Sequence, residues 1–268
     1  MTILITGGAG FIGSYVNKLM VKKGFDCVVL DNLSRGDPRT VYKSPLIEGD
    51  IADTALMKRI VLDYNVKAVM HFAASLNVRE SVDEPSQYYF NNISKTLALL
   101  TTLNELNVKK CIFSSSAAVY GVPRQDKIDE HHPLCPINPY GHSKLICEQI
   151  LKDFDHAYNF KSISLRYFNA AGGDPENLIK IYERDQFHLI PRALCSLFDD
   201  DACISIFGTD WPTKDGSNIR DYIHIHDLAT AHILALEQIL DGSDSKIYNL
   251  GNGNGYSVLE VLAAIEMV

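Results

Sequence analysis

Short apolar runs alternate along the chain with longer segments in which apolar residues recur at helical spacing. The first run, residues 3–5, precedes such a segment at residues 11–23, and another run follows at 27–30. The alternation continues with a run at 68–72 and a segment at 88–106, a run at 111–113 and a segment at 140–156, and a run at 163–168. Continuously apolar strands are typical of parallel sheets that are covered by helices on both faces. The pattern therefore predicts a doubly wound parallel α/β fold.

The alternation of strand and helix patterns stops after residue 170 and resumes near residue 217. Pro- and Asp-rich loops between these points predict a smaller region at residues 171–216 beside a main domain at 1–170. Helical spacing at 227–240 and a strand pattern at 246–250 predict that residues 217–254 rejoin the main domain. Ser257 and Glu260 have the spacing of a capping box, which predicts a helix within residues 255–268. Because this apolar segment reaches residue 268 without a glycine or basic cap, we expect a C-terminal region that is cut short.

A glycine-rich turn lies between the first predicted strand and the first predicted helix. Residues 6–13 read TGGAGFIG, which contains G-x-G-x-x-G and the overlapping G-x-x-G-x-x-G set of Gly7, Gly10 and Gly13. Glycine permits the tight turn and lets a pyrophosphate approach the amides of the helix N-terminus. Asp31 ends the second predicted strand, where a carboxylate can bind both ribose hydroxyls of a dinucleotide. Its charge opposes a 2′-phosphate, so the sequence predicts NAD rather than NADP as the cofactor.

Two pairs of residues near this motif each have two interpretations. Arg35 and Arg39 could serve a 2′-phosphate, but a solvated loop is the simpler explanation. Asp50 and Ile51 follow the third strand pattern, where they could lie beside the adenine or form an ordinary turn.

The candidate catalytic residues lie in two further motifs. Asn138 and Pro139 predict a helix start, which places Tyr140 and Lys144 four residues apart on one helix face. A phenol has a pKa of about 10, and a nearby ammonium favours the phenolate that could act as a base. Ser116 follows the run at 111–113 and is expected at the carboxyl edge of the sheet, where ligands bind. It could hydrogen-bond a substrate oxygen and Tyr140, or belong to a serine-rich turn.

Together these motifs resemble the extended short-chain dehydrogenase/reductase family. The resemblance is carried by TGGAGFIG, Asp31, HFAA at 71–74, SSSAAVYG at 114–121, YGHSK at 140–144 and RYFNAAG at 166–172. Longer motifs at 188–191, 206–229 and 247–261 are similar to the nucleotide-sugar epimerases of that family. The resemblance implies that the main domain is a Rossmann dinucleotide-binding domain. It also implies that residues 171–216 and 255–268 belong to a smaller substrate-binding region.

The family resemblance further implies an activity and a set of site residues. The activity is reversible C4 epimerisation of UDP-galactose and UDP-glucose through a 4-keto intermediate, with NAD bound throughout. The implied catalytic residues are Ser116, Tyr140 and Lys144. The implied NAD contacts are Gly7, Gly10, Phe11, Ile12, Gly13, Asp31, Asn32, Asp50, Ile51, Phe72, Ala73, Asn91, Tyr140, Lys144 and Tyr167. The implied UDP-sugar contacts are Ser116, Tyr140, Asn169, His188, Leu189 and Arg220.

The chain departs from the family pattern at one position that bears on the cofactor. Family members often carry a lysine shortly after HFAA, whereas residues 75–78 contain none. We therefore expect weaker NAD retention unless Arg79 replaces that lysine in binding the cofactor.

Two other functions remain open at this point. A nucleotide-sugar dehydratase or decarboxylase uses the same scaffold, but related dehydratases carry Asp-Glu where this chain has Ala117 and Ala118. A non-catalytic NAD-binding regulator needs no Ser, Tyr and Lys set, and this chain has all three.

Charge and composition narrow the possible partners. The chain has 33 acidic and 25 basic residues, a formal charge of -8, which disfavours nucleic acid and anionic membranes as partners. It shows no secretion signal and no apolar run near the roughly 20 residues that span a bilayer, so we expect the cytoplasm. Six scattered cysteines predict reduced thiols. The resemblance implies a homodimer through the helices at 88–106 and 140–156.

The sequence contains two pairs of closely spaced histidines. His224 and His226 would share a face if both lay on one strand, but no metal is expected, because such pairs are usually structural. His131 and His132 precede Pro133 and are predicted to be solvated.

Overall fold

The computed structural model describes residues 1–179, 188–198 and 203–267, and the predicted parallel α/β fold is confirmed. The first elements are β1 (Thr2–Thr6), α1 (Phe11–Lys22), β2 (Asp26–Asp31), β3 (Leu46–Glu48), α2 (Thr54–Asp63) and β4 (Val66–His71). They are followed by α3 (Val78–Asp83), α4 (Pro85–Tyr89), α5 (Lys95–Glu105), β5 (Lys110–Ser114), α6 (Pro139–Tyr158) and β6 (Lys161–Tyr167). The remaining elements are β7 (Asn169–Ala171), α7 (Leu189–Ser196), β8 (Ile219–His224), α8 (Ile225–Leu240), β9 (Lys246–Leu250), β10 (Gly255–Ser257) and α9 (Val258–Glu266).

Within the described residues, seven parallel strands form the main sheet in the order β3-β2-β1-β4-β5-β6-β9. The chain runs outward from β1 to β3 and then returns to place β4 on the other side of β1. At such a switch point the loops after the two central strands diverge and leave a crevice at the carboxyl edge. The fold therefore positions a binding cleft at the ends of β1 and β4.

The core explains why the strand segments are apolar at every position. Leu4 packs into one buried cluster, whereas its neighbours Ile3 and Ile5 pack into a second cluster. Side chains alternate between the two faces of a strand, so each face of the sheet is covered by its own cluster. Helices α2 and α5 contact each other, as do α1 and α8.

Two helical segments differ from the predictions. The predicted elements do not include α2, although Asp53 caps it by accepting a hydrogen bond from Leu56 N at 3.0 Å. The single helix expected at 88–106 is interrupted by a π-helical turn, Phe90–Ser94, between α4 and α5. This turn directs Asn92 inward, where its side chain accepts from Ser75 N at 2.8 Å and donates to Ser143 Oγ at 3.0 Å. Such turns are frequent beside functional sites.

A three-stranded sheet in the described part of the chain joins β7, β8 and β10. The capping box predicted for α9 is confirmed, because Ser257 Oγ accepts from Glu260 N and Glu260 Oε2 accepts from Ser257 N. Below this sheet, Lys18 of α1 forms a buried ion pair with Asp174, which follows β7.

The histidine predictions need two corrections. His132 is buried rather than solvated, with its Nε2 accepting from Arg124 N at 3.1 Å and its Nδ1 bonded to Pro133 O. His224 and His226 do not share a strand, because β8 ends at His224 and His226 lies in α8. Across residues 1–179, 188–198 and 203–267, no group of three potential ligands is arranged to hold a metal ion.

No helix in the described ranges is both long and apolar enough to cross a membrane.

Candidate functional site

A cleft of about 740 Å³ opens at the carboxyl edge of the main sheet. All of the expected cofactor contacts line it: Gly7, Gly10, Phe11, Ile12, Gly13, Asp31, Asn32, Asp50, Ile51, Phe72, Ala73, Asn91, Tyr140, Lys144 and Tyr167. Ser116, Asn169 and His188 also line it, whereas the expected substrate contacts Leu189 and Arg220 do not. Residues that are far apart in sequence thus meet in one cleft.

The glycine turn forms the floor of the cleft. Gly7 has a φ of 72°, and a Cβ on Gly13 would lie 2.4 Å from Gly7 O. Helix α1 begins at Phe11 without a side-chain cap, so the free amides of its first turn face the cleft. This arrangement leaves room and hydrogen-bond donors for a pyrophosphate.

Asp31 lies at one end of the cleft with its carboxylate held in place. Ala9 N donates to it at 3.0 Å and Leu33 N at 2.9 Å. Burial raises the pKa of Asp31, and the two backbone hydrogen bonds act in the opposite direction. Arg35, which also lines the cleft, donates to both carboxylate oxygens of Glu80, at 2.7 and 2.8 Å. The Arg35 guanidinium is therefore paired with the Glu80 carboxylate.

Asp50, which follows β3, is paired with a cation that the sequence analysis missed. Lys95 Nζ donates to Asp50 Oδ2 at 2.5 Å, and both residues line the cleft. Burial raises the pKa of Asp50, but the hydrogen bonds from Lys95 and from the Ala52 N–H, together with the charge of Lys95, outweigh burial, so the net pKa is lowered. Arg79 is exposed and is not among the residues that line the cleft. A lysine on a helix is usually solvated, so the sequence around Lys95 carries no local signal of this contact.

Tyr140 and Ser116 meet where two segments of backbone come close together. Asn138 caps α6 by accepting from Gly141 N at 2.8 Å, which places Tyr140 in the first turn. A Cβ on Gly141 would lie 2.6 Å from Ala118 O, so glycine allows the helix to approach the turn after Ser116. Burial raises the pKa of Tyr140, and a hydrogen bond with Ser116 lowers it. The pair can pass a proton to or from an oxygen in the cleft.

Lys144 is held beside this pair by the backbone of β5. Its Nζ donates to Ser114 O at 2.8 Å and lies 5.9 Å from the centre of the Tyr140 ring. Burial lowers the pKa of Lys144 to about 8, while the charges of Cys147 and Glu148 act to raise it. The charge of Lys144 does not lower the pKa of Tyr140 as expected. In the structure desolvation dominates instead, and Ser116 provides the lowering contact.

His71 supports the end of β4 from below the cleft. Its two ring nitrogens share hydrogen bonds with Thr6 Oγ1 at 2.7 Å and Thr96 Oγ1 at 2.9 Å. Burial and the nearby charge of Lys144 lower the pKa of His71 to about 3, so the ring is neutral. It ties β1, β4 and α5 together immediately before Phe72, which lines the cleft.

Comparisons with known proteins agree with this geometry. The sequence profile of the NAD dependent epimerase/dehydratase family matches residues 3–251. The chain is 45% identical to the UDP-glucose 4-epimerase of Lactobacillus helveticus, over 100% of this chain and 82% of that protein. It is similar to the crystal structure of UDP-glucose 4-epimerase from Brucella ovis in complex with NAD, with a TM-score of 0.97 and 42% identity, covering 100% of this chain and 82% of that chain. A Bifidobacterium longum UDP-glucose 4-epimerase in complex with NAD+ and UDP matches with a TM-score of 0.93 and 39% identity, covering 100% and 83%.

Proposed function

This chain belongs to the NAD dependent epimerase/dehydratase family, and we propose that Ser116, Tyr140 and Lys144 carry out its reaction. The protein is an NAD-dependent isomerase that inverts C4 of a UDP-sugar, and UDP-glucose and UDP-galactose are the proposed pair. The observation that carries the assignment is that the three residues line one cleft with the glycine turn, Asn169 and His188.

The residues of the cleft fit a bound dinucleotide. The uncapped first turn of α1 offers amides to the pyrophosphate, and Asp31 offers carboxylate oxygens to the ribose at the adenine end. NAD, when bound, supplies a ring that takes hydrogen with its electron pair from C4 and returns it. Lys144 is placed to hold the second ribose and to keep a positive charge beside Tyr140.

Tyr140 is the proton-transfer residue of the proposed mechanism. It removes the proton of the sugar 4-hydroxyl while C4 gives up its hydrogen with the electron pair, and the two losses together leave a 4-keto sugar. Tyr140 returns the proton after the hexose has presented its other face. Ser116 hydrogen-bonds the reacting oxygen and Tyr140. Because burial raises the pKa of Tyr140, the contact that favours its phenolate is the hydrogen bond with Ser116.

The substrate-binding region is proposed to comprise residues 171–216 and 255–268. Asn169 and His188 line the cleft, which supports their proposed role as UDP-sugar contacts. Leu189 directly follows His188 at the start of α7, and Arg220 lies in β8 with an exposed guanidinium. Arg220 carries a permanent positive charge, which suits a diphosphate. Arg220 and Leu189 are therefore both proposed as substrate contacts.

The experiment that tests the function uses the purified protein with no added cofactor. We expect it to release NAD on denaturation and to interconvert UDP-galactose and UDP-glucose. A stable 4-keto-6-deoxy product would instead indicate a dehydratase. Bound NAD without turnover of either sugar would indicate a non-catalytic regulator.

Replacing Lys95 by Met is expected to weaken the retention of NAD. The change keeps the length of the side chain but removes the cation that fixes Asp50 in the cleft. A loss of about 1.4 kcal/mol would raise the dissociation constant about tenfold. The fraction of NAD that stays bound through gel filtration measures the effect. Arg79→Met is the matched control, since Arg79 lies outside the cleft lining, and equal NAD loss in both variants would contradict the assignment.

We infer that the protein forms a homodimer through the face that α4, α5 and α6 share. Leu97 on α5 and Ile146 on α6 are large apolar residues that are 42% and 40% exposed, which suits a buried contact better than water. A monomeric mass by light scattering at micromolar concentration would contradict this.

We also infer a cytoplasmic location. All six cysteines lie in the described residues and are free thiols, and Cys135, Cys195 and Cys203 are exposed. Exposed thiols fit a reducing compartment. Cell fractionation tests this, and recovery outside the cytoplasm would overturn it.

A further inference from the structure

A buried carboxylate that the proposed mechanism does not use lies next to the catalytic residues. Glu148 of α6 is 7% exposed. Its Oε1 accepts from Ser115 Oγ at 2.5 Å and from Arg166 Nε at 2.9 Å, and its Oε2 accepts from Arg166 Nη2 at 2.5 Å. Buried charges are tolerated only when they are paired and hydrogen-bonded, and Glu148 meets both conditions.

The ion pair belongs to a longer polar network. Arg166 Nη1 donates to the hydroxyl of Tyr120 at 2.9 Å, and that hydroxyl donates to Asn249 Oδ1 at 2.6 Å. The network therefore joins β6, β9, α6 and the turn after β5. Networks whose groups are all satisfied make their surroundings rigid.

Glu148 is connected to the catalytic residues in two ways. It follows Lys144 by one helical turn, so the two side chains lie on the same face of α6. It also bonds Ser115, the residue directly before Ser116. The backbone of Ser115 is fixed as well, because its N–H donates to Leu165 O at 2.9 Å.

We propose that Glu148 is a positioning residue, which fixes Ser116 through Ser115 and keeps a negative charge beside Lys144. The proposal rests on the proposed function of Ser116, Tyr140 and Lys144. Arg166 is the counter-ion that makes the buried carboxylate tolerable. Tyr120 and Asn249 hold Arg166 from the other side.

Several titratable or charged groups surround Lys144. They are His71 on β4, Tyr140, Cys147 and Glu148 on α6, and Tyr167 and Arg166 on β6. Burial holds the pKa of His71 at about 3 and raises that of Cys147 to about 11. Burial and the charge of Tyr140 also raise the pKa of Tyr167. Loss of activity as the pH rises past about 8 therefore reports the discharge of Lys144.

Glu148→Gln is the first variant that tests the proposal. Without the carboxylate charge, the cation of Arg166 stands uncompensated and the pKa of Lys144 falls further. We expect the alkaline limb of kcat to move to lower pH by about one pH unit. The loss of the acceptor for Ser115 should also lower kcat by up to about 100-fold, as misplaced catalytic groups do. NAD content should stay near that of the unmodified protein.

Two more variants separate the two effects. Ser115→Ala keeps the charge of Glu148, so it should lower kcat without moving the alkaline limb. Glu148→Asp also keeps the charge and should hold the alkaline limb in place. Glu105→Gln makes the same charge change on the exposed face of α5 and serves as the control for net charge.

The results distinguish the proposal from the assignment it rests on. If the unmodified protein does not epimerise UDP-sugars, the proposed function fails. If it does, and Glu148→Gln folds with an unmoved alkaline limb, or Ser115→Ala keeps full kcat, the positioning role is wrong. If Glu148→Gln does not fold, the other two variants test the proposal. A shift of the alkaline limb of kcat in Glu148→Asp would show that the charge of Glu148 does not set the limb. Full kcat in Ser115→Ala would show that the contact between Ser115 and Glu148 does not position Ser116.

Discussion

Replacing Tyr140 by Phe is expected to lower kcat by at least about 10²- to 10⁴-fold. The substitution keeps the ring and its packing but removes the only hydroxyl proposed to exchange a proton with the 4-oxygen. Ser116 remains in place, yet a serine hydroxyl is a poor base without a partner that takes its proton. NAD binding and folding should survive, because the glycine turn and Asp31 are untouched.

The control for this prediction lies on the same helix. Tyr158 of α6 is 47% exposed and lies at the far end of the helix from the cleft, so Tyr158→Phe should leave turnover unchanged. Initial rates with UDP-galactose, together with the NAD content of each preparation, measure both variants. Near-normal turnover of Tyr140→Phe with normal NAD content would show that another group transfers the proton.

Replacing Gly13 by Ala is expected to abolish stable NAD binding. The added Cβ would lie 2.4 Å from Gly7 O and 2.9 Å from Gly8 Cα. Both contacts are backbone atoms, so the methyl group can be accommodated only if the turn opens. Opening the turn moves the first amides of α1 away from the pyrophosphate and costs roughly 1–3 kcal/mol of stability, as overpacking does.

The matched control for Gly13→Ala is Gly173→Ala. A Cβ at Gly173 meets no atom within 4 Å, so NAD content and the unfolding temperature should stay unchanged. NAD released on denaturation and thermal unfolding measure the two variants. If Gly13→Ala retained a full complement of NAD, the turn would not be the pyrophosphate site.

The strands of the main sheet were readable from the sequence because burial on both faces leaves a direct trace. A run such as residues 27–30 is apolar at every position, since neighbouring side chains enter opposite clusters. Strand β9 was predicted with the observed bounds, Lys246–Leu250. The π-helical turn left no such trace. The turn depends on the hydrogen bonds of Asn92 with Ser75 and Ser143. Contacts between segments that are distant in sequence do not change the local hydrophobic pattern, so they cannot be predicted from it.

The candidate site was predictable to the extent that its residues belong to local motifs at strand ends or helix starts. The glycine turn, Asp31 and Ser116 lie at strand ends, Tyr140 lies at a helix start, and all line the cleft. Lys95 and Glu148 were missed, because a charged residue on a helix is usually solvated and nothing local marks these two as different. Their importance depends on what the fold places opposite them, namely Asp50 and the pair of Ser115 with Arg166.

The pairing of β6 with β9 has a consequence for how the chain is made. One edge of β6 is occupied by β5, but its other edge stays open until Lys246–Leu250 has been synthesised. An unpaired strand edge is a template for pairing with other chains. During translation, this edge of β6 therefore stays unpaired while about 80 further residues are synthesised at roughly 5–20 residues per second. For those several seconds the nascent chain is most vulnerable to aggregation and most suited to chaperone binding.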